Sequence, residues 1–334
     1  MISIILPVQN EARIIRQVLQ SLLAQQNVAL EVLVIDGQST DASPDIVREI
    51  SAHDRRIRLL TNEQRKTPFA FNIGLRESTG EYVCILGAHC EYAPDYIEVC
   101  LREMQHHQAV GCSGKVITRA ADNSWQAALA AWVMAHPFGV SGGSFRTQPE
   151  GFVDSIPYPV FRKQVLLELG SYNEQLIRNQ DNDMNYRIRA AGHRLYCTWQ
   201  TTATYYARRN LRELLLYADS NGRWCGVSAR LEPRSLGLRH YIPLLFILGL
   251  LGALVLTLIP GLTWLGLGGL AAIPVHLVLG LVCGGQIAIQ ERRWLPLLLP
   301  PVFCMFHLAY GWGFLQELLA PRLWRNTVTG KSAS

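Results

Sequence analysis

Three long apolar runs in the last third of the chain constrain its fold most. Residues 241–259 and 262–289 carry no charged side chain, and residues 295–319 carry only Glu317. Runs of about 18 or more apolar residues match the hydrocarbon core of a bilayer and are candidates for membrane-spanning helices. Charged residues make up 17% of the chain, whereas a soluble domain carries about 25%. We therefore expect the lipid bilayer to be a partner; buried helices of a soluble domain are the alternative.

Basic residues around these runs indicate an orientation. They cluster at 230–239, before the first run, and at 292–293, after the second. Cytoplasmic flanks of membrane helices are rich in Arg and Lys, so both clusters are expected inside, with a tight hairpin at Pro260-Gly261. A third crossing would place the basic residues at 322–331 outside, against this rule. Pro300-Pro301 offers a re-entrant path instead, so the sequence leaves the third crossing open.

The first hundred residues alternate between strand and helix patterns. Short apolar runs typical of buried strands lie at 2–8, 30–36, 57–61 and 81–87, and helical patterns lie at 11–26, 44–53 and 69–79. This alternation predicts an α/β fold whose mainly parallel sheet has helices on both faces. In such sheets ligands bind beyond the carboxyl ends of the strands. The segments PVQNE, DGQSTD and GAHCE follow strands, so we expect them to meet at one edge.

Charge and cysteine content exclude two other classes of protein. The net charge is +5, and no basic tract is interleaved with aromatic residues, so we expect no nucleic-acid partner. This charge suits a phosphate-bearing substrate or an anionic membrane face. The eight cysteines form no C-x-x-C pair, which predicts reduced, buried thiols and not a disulfide or zinc framework. The chain opens without the basic start of a signal peptide, so the first domain is expected to stay in the cytoplasm.

The chain resembles an inverting family 2 glycosyltransferase with the A-type nucleotide-sugar (Rossmann-like) fold in three stretches: SIILPVQNEARIIRQVLQSLLAQ, EVLVIDGQSTDAS and RNQDNDMNYRIRAAGHRLY. It is similar to the succinoglycan (exopolysaccharide) biosynthesis branch in HPFGVSGGSFR, VDSIPYPVFRKQVLLELGSYNE and YYARRNLRELLLY. The resemblance covers residues 2–230. It implies transfer of a sugar from a nucleotide sugar, most simply UDP-linked, to a polyprenyl-linked saccharide.

The resemblance also implies a division of the chain and a location. We expect a cytoplasmic glycosyltransferase domain at 1–235, a membrane domain with two to three hydrophobic helices at 236–325, and a polar tail at 326–334. The protein would be a multi-pass protein of the inner (plasma) membrane. Its C-terminal helices would hold the catalytic domain where a lipid-linked acceptor lies.

Five residues are expected to bind the nucleotide. Pro7, Asn10 and Glu11 would shape the base and ribose pocket, and Asp36 would accept a hydrogen bond from a pyrimidine N–H, which suits uracil. Lys66 would meet a phosphate. The alternatives are a plain strand-to-helix turn with Glu11 on the helix dipole, and a solvated basic turn at Lys66.

The stretch Gly87-Ala88-His89 stands where many relatives carry Asp-x-Asp, whose second carboxylate holds Mn²⁺ or Mg²⁺ against the diphosphate. The succinoglycan branch typically reads Asp-Ala-His, so His89 matches the branch and Gly87 replaces an Asp. Imidazole is a reasonable ligand for Mn²⁺ and a poor one for Mg²⁺. We expect a divalent cation, Mn²⁺ in preference to Mg²⁺, on His89, with Gly87 and Ala88 lining the nucleotide-sugar site. Alternatively, His89 donates to a phosphate without metal.

Asp181 is the expected catalytic base, although the family's Glu-Asp pair reads Gln180-Asp181 here. Transfer needs a carboxylate that removes the proton of the acceptor hydroxyl as the hydroxyl attacks the anomeric carbon. Asp181 precedes a helical pattern, and a helix N-terminus favours the anion. The alternatives are an ordinary N-cap Asp and Asp183 as the base.

Arg223 and Trp224 in SNGRWCG resemble the Gln-x-x-Arg-Trp motif with which processive relatives contact acceptor and diphosphate. Arg can pair with phosphate and Trp can stack on a sugar ring. The alternative is an Arg-Trp pair at the membrane interface. Because Ser220 replaces the Gln, single-sugar addition is favoured over polymer synthesis.

Two other functions compete with catalysis. A catalytically weak relative could act as a nucleotide-binding or scaffold subunit of a polysaccharide assembly complex, and Gly87 is its best support. The retained Asp36, Asp181, Arg223 and Trp224 oppose it. A transporter would need polar residues in more of its spans.

Overall fold

The computed structural model describes residues 1–88 and 90–329. The chain forms two compact units. The first contains Met1–Ile117 and Gln148–Tyr205, and the second contains Thr118–Thr147 and the chain from Tyr206 onward. Packing thus joins residues 206–235 to the helices that follow them. The predicted boundary at residue 235 separates a cytoplasmic domain from a membrane domain. Division of the chain by packing does not test that border, so it stays a prediction.

The first unit is built on one sheet. Its strands are β1 (Ile2–Val8), β2 (Leu30–Asp36), β3 (Ile57–Thr61), β4 (Tyr82–Ile85), β5 (Cys90–Tyr92), β6 (Gly111–Arg119), β7 (Gly151–Val153), β8 (Val160–Arg162) and β9 (Leu195–Tyr206). Their order is β3-β2-β1-β4-β8-β6-β9-β5, and β7 pairs with β9. The first three strands have the predicted bounds, whereas β4 ends two residues earlier.

Strand direction divides the sheet in two. β1 is parallel to β2 and β4, and β2 is parallel to β3, in a register that places Val8 opposite Asp36. β8 lies between β4 and β6 and is antiparallel to both. The mainly parallel prediction therefore holds for the first four strands only. It misses β8 because that strand enters the sheet after the chain has passed through residues 118–147 of the second unit.

Helices cover both faces of the sheet, as predicted. In chain order the helices of the first unit are α1 (Ile15–Leu23), α2 (Ser43–His53), α3 (Thr67–Glu77), α4 (Tyr96–His106), α7 (Lys163–Glu168) and α8 (Gln180–Ala190). Neighbouring residues of β1 point to different cores, because Ile4 belongs to one buried cluster and Ile5 to another. Each face of the sheet is therefore covered by a buried hydrophobic core.

The second unit is helical. It contains α5 (Trp125–Ala135), α6 (Pro137–Val140), α9 (Leu211–Leu231), α10 (Leu238–Thr257), α11 (Thr263–Leu270), α12 (Ala272–Glu291), α13 (Leu299–Leu319) and α14 (Arg322–Thr329). Three stretches are long and apolar enough to cross a membrane: Leu238–Thr257, Thr263–Glu291 and Leu295–Leu319. The hairpin between the first two turns at Gly261, which has the left-handed φ of +84°.

The third apolar stretch differs from the other two in its packing. Half of its most apolar window is buried inside the protein, against 17% and 11% for the first two stretches. Pro300-Pro301 lie in the first turn of α13, where proline costs no helical hydrogen bond. The prolines therefore begin a continuous helix and do not interrupt it.

Glycines bring α9 and α13 close together. A Cβ atom added at Gly222 would overlap the carbonyl oxygen of Tyr310, and one added at Gly313 would overlap the carbonyl oxygen of Asp219. Small residues allow such backbone approach between helices. The helix that carries Arg223 and Trp224 is thus held against the third apolar helix by backbone contact.

Candidate active site

The carboxyl ends of β1 and β2 place Asp36 at the predicted edge of the sheet. Asp36 is 8% exposed, and both of its carboxylate oxygens accept from the backbone N–H of Ser39, at 3.3 and 3.1 Å. Gly37 closes the turn by donating its N–H to the carbonyl of Val8 at 2.8 Å. Pro7 is half-buried on the neighbouring strand. A carboxylate has about four acceptor positions, so Asp36 keeps acceptor capacity at this edge.

The loop after β1 is bound to the loop after β2. Asn10 has a left-handed φ of 59°, its N–H donates to Ser39 Oγ at 2.8 Å, and its Oδ1 accepts from the N–H of Thr40 at 2.8 Å. The N–H of Glu11 donates to Ser43 Oγ at 2.7 Å. Asn10 and Glu11 therefore hold the two loops in register; their contact with a nucleotide stays a prediction.

Asp41 completes this link between the loops. Its carboxylate accepts from Ser43 Oγ at 2.5 Å and from the N–H of Ala12 at 3.0 Å. The hydrogen bond from the Ser43 hydroxyl holds the pKa of Asp41 below its ordinary value. The N–H groups of Glu11 and Ala12 donate to Ser43 of α2 and to Asp41 in its entry loop, and α1 begins at Ile15 and not at residue 11 as predicted.

Lys66 is tied to the turn that carries Asp36. The N–H of Asn62 donates to the carbonyl of Asp36 at 2.7 Å, and Asn62 Nδ2 donates to the carbonyl of Lys66 at 2.9 Å. Lys66 is half-buried and precedes the first residue of α3. The buried Asn62 thus connects the backbone of Asp36 with the backbone of Lys66, the two residues that the sequence assigns to the nucleotide.

The turn after β4 is shaped by a residue that the sequence analysis missed. The N–H of Gly87 donates to Tyr92 Oη at 2.8 Å, and this hydroxyl donates back to the carbonyl of Gly87 at 3.2 Å. Burial raises the pKa of Tyr92, so its hydroxyl stays neutral and keeps both bonds. Ala88 is 5% exposed and Cys90 is 6% exposed. The available signal was the period-two pattern Cys90, Tyr92 on a short strand with one buried face.

The described residues do not form a cation site by themselves. Among residues 1–88 and 90–329, no group of three or more His, Cys, Asp or Glu side chains could hold a metal ion. Gly87 brings no carboxylate, and Glu91 is exposed on β5. His89, the predicted Mn²⁺ ligand, lies outside the described residues. A cation here would need His89 and ligands from outside the chain.

Gly87 can accept the carboxylate that relatives carry. A Cβ atom at this position would lie 3.6 Å from Tyr158 Cε1 and 4.0 Å from Tyr92 Oη, which are ordinary contacts. We expect Gly87→Asp to fold normally and to tighten Mn²⁺ binding in the presence of nucleotide about tenfold, equivalent to about 1.4 kcal/mol. Titration of Mn²⁺ by electron paramagnetic resonance measures this.

Gly87→Asn is the matched control, because it adds the same volume without charge. We expect its Mn²⁺ affinity to stay at the wild-type value. If the Asp and Asn variants bind Mn²⁺ equally, the end of β4 is not the cation edge of the site.

Asp181 lies in the first turn of α8. The helix begins after Asn179, which has a left-handed φ of 61°, and Asp181 Oδ1 accepts from the N–H of Asn182 at 2.9 Å. Burial, and secondarily the negative charge of Asp181, raises the pKa of Tyr172. Asp181 is therefore a half-buried carboxylate on the positive end of a helix, the setting predicted for the base.

Asp183, the alternative base, is engaged elsewhere. It is 3% exposed, and its Oδ2 accepts from Arg187 at 3.0 Å (Nε) and 2.7 Å (second nitrogen). Arg187 also donates to the carbonyl of Leu169 at 2.6 Å. This buried ion pair ties α8 to the end of α7, and it leaves Asp181 as the better candidate.

Arg223 and Trp224 lie on α9 in the second unit, whereas the other predicted site residues that the structure describes lie in the first. Arg223 Nε donates to Asp219 at 2.7 Å, and the guanidinium also donates to Gln316 Oε1. Trp224 is 7% exposed. Within this unit, Arg223 joins α9 to α13 through Gln316. The role of Arg223 and Trp224 toward acceptor and diphosphate stays a prediction.

The strand-end turns of this mixed α/β sheet lie at the edge where α/β enzymes bind their ligands. The sequence model for "Glycosyl transferase family 2" matches residues 3–170, half of the chain. The chain belongs to this family and is a glycosyltransferase.

Two relatives match nearly the whole chain. One is the dolichyl N-acetyl-alpha-D-glucosaminyl phosphate 3-beta-D-2,3-diacetamido-2,3-dideoxy-beta-D-glucuronosyltransferase of Methanococcus voltae, 26% identical over 95% of this chain and 97% of the relative. The other is the succinoglycan biosynthesis protein ExoA of Rhizobium meliloti (strain 1021), 27% identical over 95% of this chain and 94% of the relative. The resemblance to the exopolysaccharide branch is confirmed.

The fold is shared with a solved structure. The mannosyltransferase PcManGT from Pyrobaculum calidifontis, in complex with GDP-Man and Mn²⁺, superposes with a TM-score of 0.60 over 96% of this chain and 87% of that chain. At 18% identity this likeness shows the fold alone. The predicted A-type fold followed by long apolar helices is confirmed.

Proposed function

We propose that this glycosyltransferase is membrane-attached and inverting, and moves a sugar from a UDP-linked donor to a polyprenyl-linked saccharide in exopolysaccharide or cell-surface glycan synthesis. The observation that carries the proposal is the juxtaposition at the sheet edge. Register and hydrogen bonds bring Pro7, Asp36 and Lys66 to neighbouring turns. A buried acceptor for a base N–H, with a cation for phosphate on a neighbouring turn, suits a pyrimidine nucleoside diphosphate.

In the proposed reaction Asp181 removes the proton of an acceptor hydroxyl. The hydroxyl oxygen bonds to the anomeric carbon as the bond from that carbon to the diphosphate breaks. The nucleoside diphosphate leaves with the electron pair, and the proton resides on Asp181. Attack opposite the leaving group inverts the anomeric configuration. Lys66, and Arg223 by resemblance, would offset the charge that develops on the diphosphate.

A divalent cation, Mn²⁺ in preference to Mg²⁺, is proposed on His89 with the donor diphosphate as a further ligand. When bound, it would neutralise charge on the diphosphate. The support is the match of His89 to the last position of the branch motif and the Mn²⁺ in the mannosyltransferase that shares the fold. The described residues alone do not fit a cation, so the proton transfer above is independent of it.

A donor panel tests this proposal. Purified protein in detergent, given UDP- and GDP-linked sugars with a polyprenyl-linked saccharide extract, should consume UDP-sugars at least about tenfold faster. Chelator should slow the reaction and Mn²⁺ should restore it better than Mg²⁺. Asp36→Asn should raise the donor KM about 10- to 100-fold, since hydrogen bonds to charged groups contribute about 1.5–3 kcal/mol.

Binding of nucleotide without consumption of any sugar nucleotide would favour the scaffold alternative. Faster use of GDP-sugars would contradict only the proposal that Asp36 binds a uracil base. Equal rates in chelator and in Mn²⁺ would remove the cation from the proposal.

We propose an inner-membrane location with the catalytic unit in the cytoplasm, supported by the Arg-rich flanks at 230–239 and 292–293 and the hairpin between α10 and α11. In intact cells, Arg293→Cys should react with a membrane-impermeant maleimide only after permeabilisation, with wild type as the control for native cysteines. Labelling in intact cells would place this flank outside.

A further inference from the structure

Two histidines from different apolar helices form a hydrogen-bonded chain that ends on the backbone of α6. His276 Nε2 on α12 lies 2.9 Å from His307 Nδ1 on α13. His307 Nε2 lies 3.1 Å from the carbonyl oxygen of Gly139. All three residues belong to the second unit. Polar side chains within apolar spans are costly and mark functional positions.

The carbonyl at the end of this chain sets the proton positions. A carbonyl oxygen only accepts, so His307 Nε2 carries a proton and donates to Gly139. In neutral His307, Nδ1 then accepts, so His276 Nε2 carries the proton between the two rings. His276 of α12 thus donates to His307 of α13, and His307 donates to the carbonyl oxygen of Gly139.

Packing alone does not account for His276. Its ring stacks on Phe246 at 5.3 Å between centroids and lies 4.9 Å from the ring of Phe138. Within the described chain, His276 Nδ1 is buried and has no hydrogen-bond partner. A buried unpaired nitrogen costs about 1–3 kcal/mol, which an apolar side chain in the same aromatic surroundings would avoid. Compared with an apolar side chain, His276 contributes one feature, the hydrogen bond that it donates to His307.

The backbone just beyond Gly139 is strained. Ser141 ends α6 with φ 74° and ψ 154°, a region that is essentially reserved for glycine and costs about 1–3 kcal/mol. Such strain persists only where neighbours hold it, and it clusters at functional sites. Ser141 opens the Gly-rich loop 141–146, whose Gly143 carbonyl accepts from Arg239 of α10. Thr147 Oγ1 donates to the carbonyl of Ser141 at 2.5 Å.

We propose that His307 and His276 are positioning residues that hold α6 and the strained loop 141–146 in the conformation that receives the lipid-linked acceptor. This inference rests on the proposed function, because the lipid-linked acceptor that the loop would receive is part of that proposal. The apolar helices then do more than anchor the enzyme: α12 and α13 set the shape of an acceptor-binding loop through two imidazoles. Of the two proposed substrates, the acceptor is the one that carries a lipid, so it is the one expected to approach the apolar helices.

Substitutions at His307 test the chain of bonds. His307→Leu removes both hydrogen bonds, whereas His307→Gln keeps an amide N–H for Gly139 and an amide oxygen for His276. Met305→Leu on the same helix, where the side chain is 41% exposed, controls for substitution in α13. The Leu variant should raise the KM for polyprenyl-linked saccharide about tenfold, leave the donor KM unchanged, and speed amide hydrogen exchange of residues 139–146 about tenfold. The Gln variant should restore both values, and Met305→Leu should match wild type.

Two results would overturn the proposal: unchanged hydrogen exchange in His307→Leu, or equal changes in donor and acceptor KM that His307→Gln does not restore. Hydrogen exchange does not require transfer. If wild type transfers nothing, that failure counts against the proposed function, while the exchange rates of the Leu and Gln variants still decide whether the histidines hold the loop.

Discussion

Asp181→Asn is expected to lower kcat about a thousandfold while the melting temperature and both KM values stay near wild type. A positioned general base contributes about 10²- to 10⁴-fold, and the amide cannot take the proton of the acceptor hydroxyl. The fold should tolerate the change, because the side chain is half-buried and an amide of the same size can still accept from the N–H of Asn182 through its oxygen. Initial rates with saturating donor and acceptor, with a thermal melt of each preparation, measure this.

Asp183→Asn is the matched control on the same helical turn. Breaking a buried ion pair costs about 3–5 kcal/mol, and we expect the lower value because the Arg187 side chain is 25% exposed. The melting temperature should fall by about 6–12 °C, while the folded fraction keeps its kcat. An Asp181→Asn variant with normal turnover, or an Asp183→Asn variant that is stable but inactive, would reverse the assignment of the base.

Gly222→Ala should destabilise the second unit strongly. The added methyl would overlap the carbonyl oxygen of Tyr310, which belongs to the backbone of α13 and cannot move as a side chain can. Overpacking of this kind costs about 1–3 kcal/mol or more, so the melting temperature in detergent should fall by at least about 5 °C. Arg223 and Trp224 follow directly on α9, so the variant should also lose activity at temperatures below its melt.

Gly249→Ala on α10 is the control, because a Cβ atom there meets nothing within 4 Å. Alanine is favoured over glycine inside a helix by about 1 kcal/mol, so this variant should melt at or above the wild-type temperature. If both glycine variants melt alike, the close approach of α9 and α13 does not contribute to stability.

Elements that follow from a local sequence pattern were predictable. Elements whose place depends on contacts between residues far apart in the sequence were not. Apolar runs predicted β1 to β3 to the residue, because buried parallel strands need continuous apolar sequence. β8 has three residues, too few for a pattern, and its neighbours in the sheet are set by contacts far along the chain. The same limit explains why residues 118–147 and 206–235 were not predicted to pack with the long apolar helices.

The candidate site divides in the same way. Motif position predicted Asp36, Lys66 and Asp181 as site residues, and their roles stay predictions. The hydroxyl of Tyr92 on Gly87 was not predicted, because side-chain to backbone bonds follow from geometry and leave no periodic trace. His276 and His307 are separated by 31 residues, and only the packing of α12 on α13 reveals that they meet.

The anomeric configuration of the transferred sugar tests the central claim most directly. Purified protein would receive a UDP-sugar of defined anomeric configuration and a polyprenyl-linked saccharide, and the new linkage would be read by nuclear magnetic resonance from the coupling of the anomeric proton. We predict a single product with the configuration opposite to that of the donor, formed by wild type and absent with Asp181→Asn. A product that retains the donor configuration, or equal product formation by the Asp181→Asn variant, would contradict single displacement assisted by Asp181.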